Sequence, residues 1–174
     1  MQLHLNFFMI IFMILKNSGK EFPIMLKRIL LIFLILSISK FSHTPHLLVT
    51  DPSTWTNSSV WDHNATLWSI LRPGSEFYTS YTYGFDLEFI LRKIAHLSFF
   101  GSLGLLFYWN LKKQKYRHLK AWFCLAAFAF LDEIHQAFII GRDGRIVDVM
   151  IDSAGAAIML FLLFLLQRNK LTDK

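Results

Sequence analysis

The sequence predicts an all-α fold: an integral membrane bundle of about four transmembrane helices and, in one interpretation, an additional short hydrophobic helix at the N-terminus. Two observations predict it. Of the 174 residues, 54% are hydrophobic and only 17% are charged, a combination that soluble domains rarely show. The apolar residues also fall into runs long enough to cross a bilayer, which takes about 20 residues of helix.

The first 25 residues form a hydrophobic extension with three interpretations. Residues 3–15 are apolar but short for a span. They fit the core of a signal peptide, although no basic segment precedes them and no small-residue cleavage site follows. They also fit an extra interfacial or membrane segment. In the third interpretation, which we prefer, the natural protein starts at Met25, which opens a signal-anchor pattern.

Four apolar runs make up the predicted transmembrane domain, residues 26–166. The first run starts beside Lys27 and Arg28 and ends before Pro45. A polar and aromatic loop at 45–86 follows it, with almost no basic residues. The four predicted spans cover residues 26–44, 87–109, 121–140 and 146–166.

Basic residues predict the orientation of the bundle. The segment 110–120, between the second and third runs, contains five Lys or Arg residues and no acid, and cytoplasmic loops carry this kind of excess. We therefore expect the loop at 45–86 to be extracytoplasmic, and both termini, including the basic tail at 167–174, to be cytoplasmic. No basic face of a soluble fold is visible, so we expect the lipid bilayer and no nucleic acid as a partner.

A charged stretch at 132–155 lies between two of these apolar runs. Charges inside apolar helices are expensive and indicate a functional site by default. Asp132, His135 and Gln136 share a helix face because they are three and four residues apart. Asp148 and Asp152, which are four residues apart, share a face as well. At a rise of 1.5 Å per residue, the polar residues of three helices fall in the same outer half. The predicted polar site consists of Lys93, His96, Asp132, Glu133, Gln136, Arg142, Arg145, Asp148 and Asp152.

The charges of this predicted site are close to balanced. Its four acids face four bases, since Arg92 lies next to Lys93. Near-neutrality is what a buried set of charges requires. We therefore expect acids and bases to lie close together at the outer end of the bundle.

The order and spacing of these residues resemble a known family. Three motifs follow one another along the chain: D-E-x-H-Q at 132–136, a Gly-Arg turn, and D-x-x-x-D-x-x-G at 148–155. The predicted helix before them has Lys93 and His96 three residues apart. This combination resembles the VanZ-like family, small multi-pass bacterial membrane proteins related to resistance to the glycopeptide teicoplanin. The resemblance covers about residues 26–166. It implies the bacterial plasma membrane as location and a contribution to glycopeptide tolerance.

Three interpretations of the site stay open. In the first, Arg142 and Arg145 hold an anionic or glycosylated envelope molecule at the outer leaflet, since arginine binds phosphate and carboxylate in a fork. The ligand would be a cell-wall precursor, a lipid headgroup or the glycopeptide. In the second, the site is a hydrolase or transferase for a lipid-linked substrate. In the third, the charged residues form a purely structural network of salt bridges and hydrogen bonds that holds the helices together.

The enzyme interpretation rests on groups suited to general acid–base chemistry. The same His and carboxylate groups could also bind a divalent metal. However, the sequence has no H-E-x-x-H motif and no standard zinc spacing, so we predict no metal and no cofactor. The candidate catalytic residues are His96, Asp132, Glu133 and His135.

Overall fold

The computed structural model describes residues 23–81 and 86–172, with side chains as far as residue 169. The predicted hydrophobic segment at 3–15 lies outside the described residues. Within them, the only extended pairing is an isolated bridge between Trp61 and Ile139, so the all-α prediction is confirmed. The α-helices are α1 (Ile24–Ser42), α2 (Leu67–Leu71), α3 (Leu87–Asn110), α4 (Arg117–Gln136) and α5 (Ile146–Thr172), joined by 3-10 turns at Pro52–Thr56 and Glu76–Tyr78.

Three predicted spans coincide with long helices, and one needs correction. The first, second and fourth spans match α1, α3 and α5 to within a few residues, although α5 extends beyond the predicted end. The third span was predicted over 121–140, whereas α4 covers Arg117–Gln136. Residues after Gln136 leave the helix because their backbone pairs with the long loop: Asp62 N donates to Phe138 O over 2.9 Å and Ile140 N donates to Val60 O over 3.0 Å.

Helix α3 is the centre of the bundle. It packs against α5, α4 and α1, and α4 also packs against α5. Small residues allow the closest approach, between α3 and α5: a Cβ atom on Gly155 would lie 2.9 Å from Leu97 O, and one on Gly104 would lie 3.1 Å from Ala156 Cβ. Gly and Ala at such contacts are typical of helix packing in membranes. The core between the helices includes Leu34, Phe100, Leu103, Leu125, Ala129 and Ala156.

Large apolar side chains also cover the outside of the bundle. Two helices, Leu87–Asn110 and the Ile146–Asn169 part of α5, are long and apolar enough to cross a membrane by length and composition. The other two long helices are apolar on their outer faces as well. Exposed side chains include Ile29, Phe33 and Leu36 on α1, Ile94 on α3, Phe123 and Leu131 on α4, and Ile158 and Phe161 on α5.

The loop between α1 and α3 packs over one end of the bundle. The Trp61 ring stacks on Phe138 with 5.1 Å between centroids, and Phe77 is buried with its ring edge against Phe130. Glu88, in the first turn of α3, accepts hydrogen bonds from the backbone of Val49 and Thr50. The loop is therefore a cover for the same helix ends that carry the polar residues.

Candidate functional site

The polar residues predicted from the sequence converge at the loop-covered end of the bundle. Helix α3 contributes Lys93 and His96, α4 contributes its last turns, and α5 contributes its first turns. The amphipathic spacing of the acids orients them inward. The buried polar side chains there are Asp132, Glu133, Gln136, Asp148 and Asp152, of which Glu133 and Asp152 have no exposed surface.

Glu133 is held from two sides. Gln136 Nε2 donates to Glu133 Oε1 over 3.0 Å, and the backbone N of Arg145 donates to Oε2 over 2.9 Å. The turn between α4 and α5 can reach this carboxylate because Gly144 has no side chain: a Cβ atom there would overlap Glu133 O. The Gly-Arg turn thus closes directly over a buried acid.

Asp132 belongs to a hydrogen-bonded group that includes the first helix. Ser42 Oγ donates to Asp132 Oδ2 over 2.7 Å, and Gln136 Nε2 donates to the same oxygen over 2.9 Å. Gln136 in turn accepts a hydrogen bond from Arg142 Nη2 over 2.8 Å. The site therefore involves four helices rather than the three expected, because the end of α1 supplies Ser42.

Lys93 and Asp148 form an ion pair that Tyr81 completes. Lys93 Nζ contacts Asp148 Oδ1 and the Tyr81 hydroxyl, which also donates to Asp148 Oδ1. Both charged side chains are largely buried, with exposed fractions of 16% and 10%. Burial, reinforced by the hydrogen bond to Asp148, raises the pKa of Tyr81 above its usual range, so this hydroxyl stays protonated and acts as a donor.

His96 and Asp152 form the second contact between α3 and α5. His96 Nδ1 lies 3.4 Å from Asp152 Oδ1 and 3.5 Å from Oδ2. The imidazole stacks on Phe100, one turn further along the same helix. The Oδ1 atom of Asp152 is buried and has no hydrogen-bond donor among the described residues.

The arginines were predicted to lie against the buried acids, but they form no ion pairs with them among the described residues. The Arg145 side chain lies along the loop, donating to Thr79 Oγ1 and Ser80 O over 3.0 Å each. Arg92 and Arg142 form no ion pair with an acid in the part of the chain that the structure describes, and their buried Nε atoms have no acceptor there. Burial lowers the pKa of Arg142, while nearby carboxylates, chiefly Glu133, oppose the shift.

His135 does not join the acids, although it was predicted to share a face with Asp132. Its Nε2 lies 3.1 Å from His43 Nδ1, and the two rings stack. Ser59 Oγ lies 2.5 Å from His43 Nε2 on the far side. These side chains form a separate hydrogen-bonded chain under the loop, on the side where Trp61 packs on the His135 ring.

Two cavities meet beside this site. One, of about 320 Å³, is mainly apolar and is lined by Phe33, Phe41, Trp55 and Phe99 among others. The other, of about 480 Å³, is more polar, and its lining includes Tyr81, Lys93 and Asp148. Three polar side chains line both of them: Arg92, His96 and Arg142.

Two residues of this arrangement, Tyr81 and Ser42, were not predicted from the sequence. Tyr81 is one of several aromatic residues in a loop, and Ser42 is an ordinary residue at a helix end, so neither carries a local signal. Arg92 was recognised only as a neutralising charge. Its spacing of four residues from His96 could have indicated a cavity residue, since residues four apart share a helix face.

Comparison with known proteins identifies one family. The model of the VanZ/LLP1 family matches residues 9–167, nearly the whole chain. No match was found among curated proteins or among solved structures.

Proposed function

The chain belongs to the VanZ/LLP1 family, and from this premise we propose that it is a multi-pass membrane protein that binds an anionic envelope amphiphile at its extracytoplasmic end. The observation that carries the proposal is the meeting of an apolar and a polar cavity at Arg92 and Arg142. Such a layout suits a molecule with a hydrocarbon part and a phosphate or carboxylate.

The membrane part of the proposal is supported by the outer surface of the bundle. Helices α3 and α5 are long and apolar enough to cross a membrane. Helices α1 and α4 expose large apolar side chains, namely Phe33, Leu36, Phe123 and Leu131. Exposed apolar side chains on every long helix are costly in water and are favourable in lipid. We therefore assign four spans, with the basic segment 110–120 in the cytoplasm and the loop at 45–86 outside.

The proposed binding of an anionic ligand is supported by the surroundings of Arg92 and Arg142, which line both cavities. The Nε atoms of both arginines are buried without an acceptor among the described residues, and a buried donor without a partner is costly. A phosphate or carboxylate would supply these acceptors in charge-assisted, forked hydrogen bonds.

The amphiphile would lie across both cavities. Its anionic group would bind between Arg92 and Arg142, and its acyl or prenyl part would enter the cavity lined by Phe41 and Phe99, which lies next to lipid-facing α1. By binding a lipid-linked wall precursor or an anionic lipid in this way, the protein would shield it from a glycopeptide. This is the contribution to teicoplanin tolerance that the family resemblance implies.

The experiment compares Arg92→Gln and Arg142→Gln with the exposed control Arg168→Gln. Each variant is purified in detergent, and the co-purified lipids are measured by native mass spectrometry. We expect the two cavity variants to lose a bound anionic lipid that the wild type and the control retain, and to lower teicoplanin tolerance at an unchanged protein level. Equal lipid content in all four proteins would contradict the proposal. A loss of protein from the membrane in the cavity variants would instead support a purely structural network.

A second candidate function is a hydrolase or transferase for a lipid-linked substrate. It is favoured by the position of His96, which lines both cavities and contacts the buried Asp152, as a residue that moves protons next to a bound headgroup would. Incubation of the purified protein with lipid-linked precursors should then change their mass. An unaltered substrate across a range of pH and divalent metals would exclude this function.

A further inference from the structure

Three side chains from three different helices come together below the two cavities. His96 of α3, Glu133 of α4 and Asp152 of α5 each offer one ligand atom, and these atoms all lie within 4.8 Å of one another. Both acids are fully buried. The convergence of three long helices on one small volume is a tertiary feature that no local spacing in the sequence shows.

The two acids in this volume, Glu133 and Asp152, do not pair with Lys or Arg side chains of the described residues. Asp152 Oδ1 is buried without a hydrogen-bond donor, and His96 Nδ1 lies 3.4 Å from it. A buried carboxylate oxygen without a donor is costly, and a bound cation would remove that cost.

The neighbours of the three residues are arranged to orient them. Glu133 receives hydrogen bonds from Gln136 and from the Arg145 backbone, which fixes the direction of the carboxylate and leaves lone pairs on both oxygens. Outer hydrogen bonds of this kind orient the carboxylate ligands of metal sites. The remaining nearby acids are already satisfied: Asp132 by Ser42 and Gln136, and Asp148 by Lys93 and Tyr81.

We propose that His96, Glu133 and Asp152 bind a divalent transition metal, with zinc as the best fit. One imidazole and two carboxylates are borderline and hard donors, which suit zinc or manganese. Zinc bonds of about 2.0–2.2 Å in a tetrahedron place ligand atoms roughly 3.4 Å apart, which is the distance between His96 Nδ1 and Asp152 Oδ1. The Glu133 ligand atom lies within 4.8 Å of the other two, so its side chain would move toward them when the metal binds.

The proposal reverses the expectation of no metal, and it is independent of the proposed amphiphile binding. Three protein ligands leave at least one coordination position for water or another ligand. Because His96 lines both cavities, that position would lie near the place where they meet.

The test is the metal content and metal response of the full-length protein in detergent. We expect about one zinc per chain by elemental mass spectrometry, and a lower melting temperature after chelation that added zinc restores and added magnesium does not. Zinc stabilises only if it binds the folded chain, so this measurement on the wild type needs no variant to fold. Metal-free protein whose melting temperature is unchanged by zinc would overturn the proposal.

Substitutions of the proposed ligand residues test whether these side chains bind the metal. Asp152→Asn and Glu133→Gln should reduce bound zinc at least tenfold, since even outer residues of metal sites contribute 10- to 100-fold to affinity. The matched control is Asp148→Asn, which changes a buried acid that contacts Lys93 and Tyr81 rather than the three proposed ligands or Gln136, and which should keep the metal. Retention of zinc in both ligand variants, or an equal loss in a folded Asp148→Asn protein, would overturn the assignment of the three ligands.

Discussion

The backbone N of Arg145 donates a hydrogen bond to Glu133 Oε2 over 2.9 Å. This contact joins the turn before α5 to a fully buried acid near the end of α4, so the two helices and the turn are one structural unit. Arg145 was predicted to contribute its charge, whereas its side chain binds the loop at Thr79. The residue therefore serves the site through its main chain and ties the loop to the helices through its side chain.

The first prediction concerns the glycine that makes this contact possible. Gly144→Ala should prevent the turn from closing, because the added methyl group would overlap the backbone oxygen of Glu133, which cannot rotate away. Overpacking of a rigid contact usually costs 1–3 kcal/mol and occasionally more, and we expect at least about 3 kcal/mol here. Thermal unfolding of the purified variant measures the loss.

The control for this variant is Gly74→Ala. Gly74 has a φ of +82° but open space around it, so the substitution carries only the left-handed backbone cost of roughly 1–2 kcal/mol. If the Gly144→Ala protein were as stable as the Gly74→Ala protein, the close contact with Glu133 would be disproved.

The second prediction concerns the ion pair between Lys93 and Asp148. Lys93→Met or Asp148→Leu alone leaves one buried charge without its partner, which should cost about 3–5 kcal/mol. The double variant removes both charges and should recover most of that loss, because apolar replacements of a buried pair are often neutral. A double-mutant cycle on unfolding free energies gives the coupling.

An exposed pair provides the comparison. Asp143 lies 3.4 Å from Arg145 and is 64% exposed, so Asp143→Ala should change stability by less than about 1 kcal/mol. Additive effects of Lys93→Met and Asp148→Leu would show that the two charges do not depend on each other.

Features that depend on neighbouring residues in the sequence were predicted better than features that depend on distant residues. Apolar run length is local, so α1, α3 and α5 were placed nearly correctly. Helical spacing is local as well, and the Asp132–Gln136 contact expected from it is present, at 2.9 Å. The end of α4 was misplaced because Phe138 and Ile140 are apolar like the helix before them, while their backbone pairs with Val60 and Asp62 of a distant loop.

The same distinction explains the site residues. Ser42 and Tyr81 reach the acids only through the packing of α1 and the path of the loop, which no spacing encodes. His135 has the right spacing to face Asp132, yet it contacts His43 instead, because the end of α1 brings this competing partner. Non-local contacts therefore decided which of the predicted residues came together.

The third prediction concerns the docking of this loop. Trp61→Ala should free the loop from Phe138, at a cost of about 0.5–1.5 kcal/mol for the aromatic pair beyond its buried area. The segment around Trp61 should then be cleaved faster by limited proteolysis. Trp68 is the matched control, because it is 77% exposed and Trp68→Ala should leave the cleavage rate unchanged. Equal rates in both variants would mean that the stacked pair does not hold the loop.

The fourth prediction concerns the orientation of the bundle. In a Cys124→Ala background, which removes the single cysteine, Ser58→Cys lies in the loop assigned to the outside and Gln114→Cys in the basic segment assigned to the cytoplasm. Both positions are exposed, and positive residues are retained on the inner side of the membrane. A membrane-impermeant maleimide should therefore label Ser58→Cys in intact cells, and label Gln114→Cys only after permeabilisation. The reverse pattern would invert the topology, and labelling of both in intact cells would exclude a membrane between them.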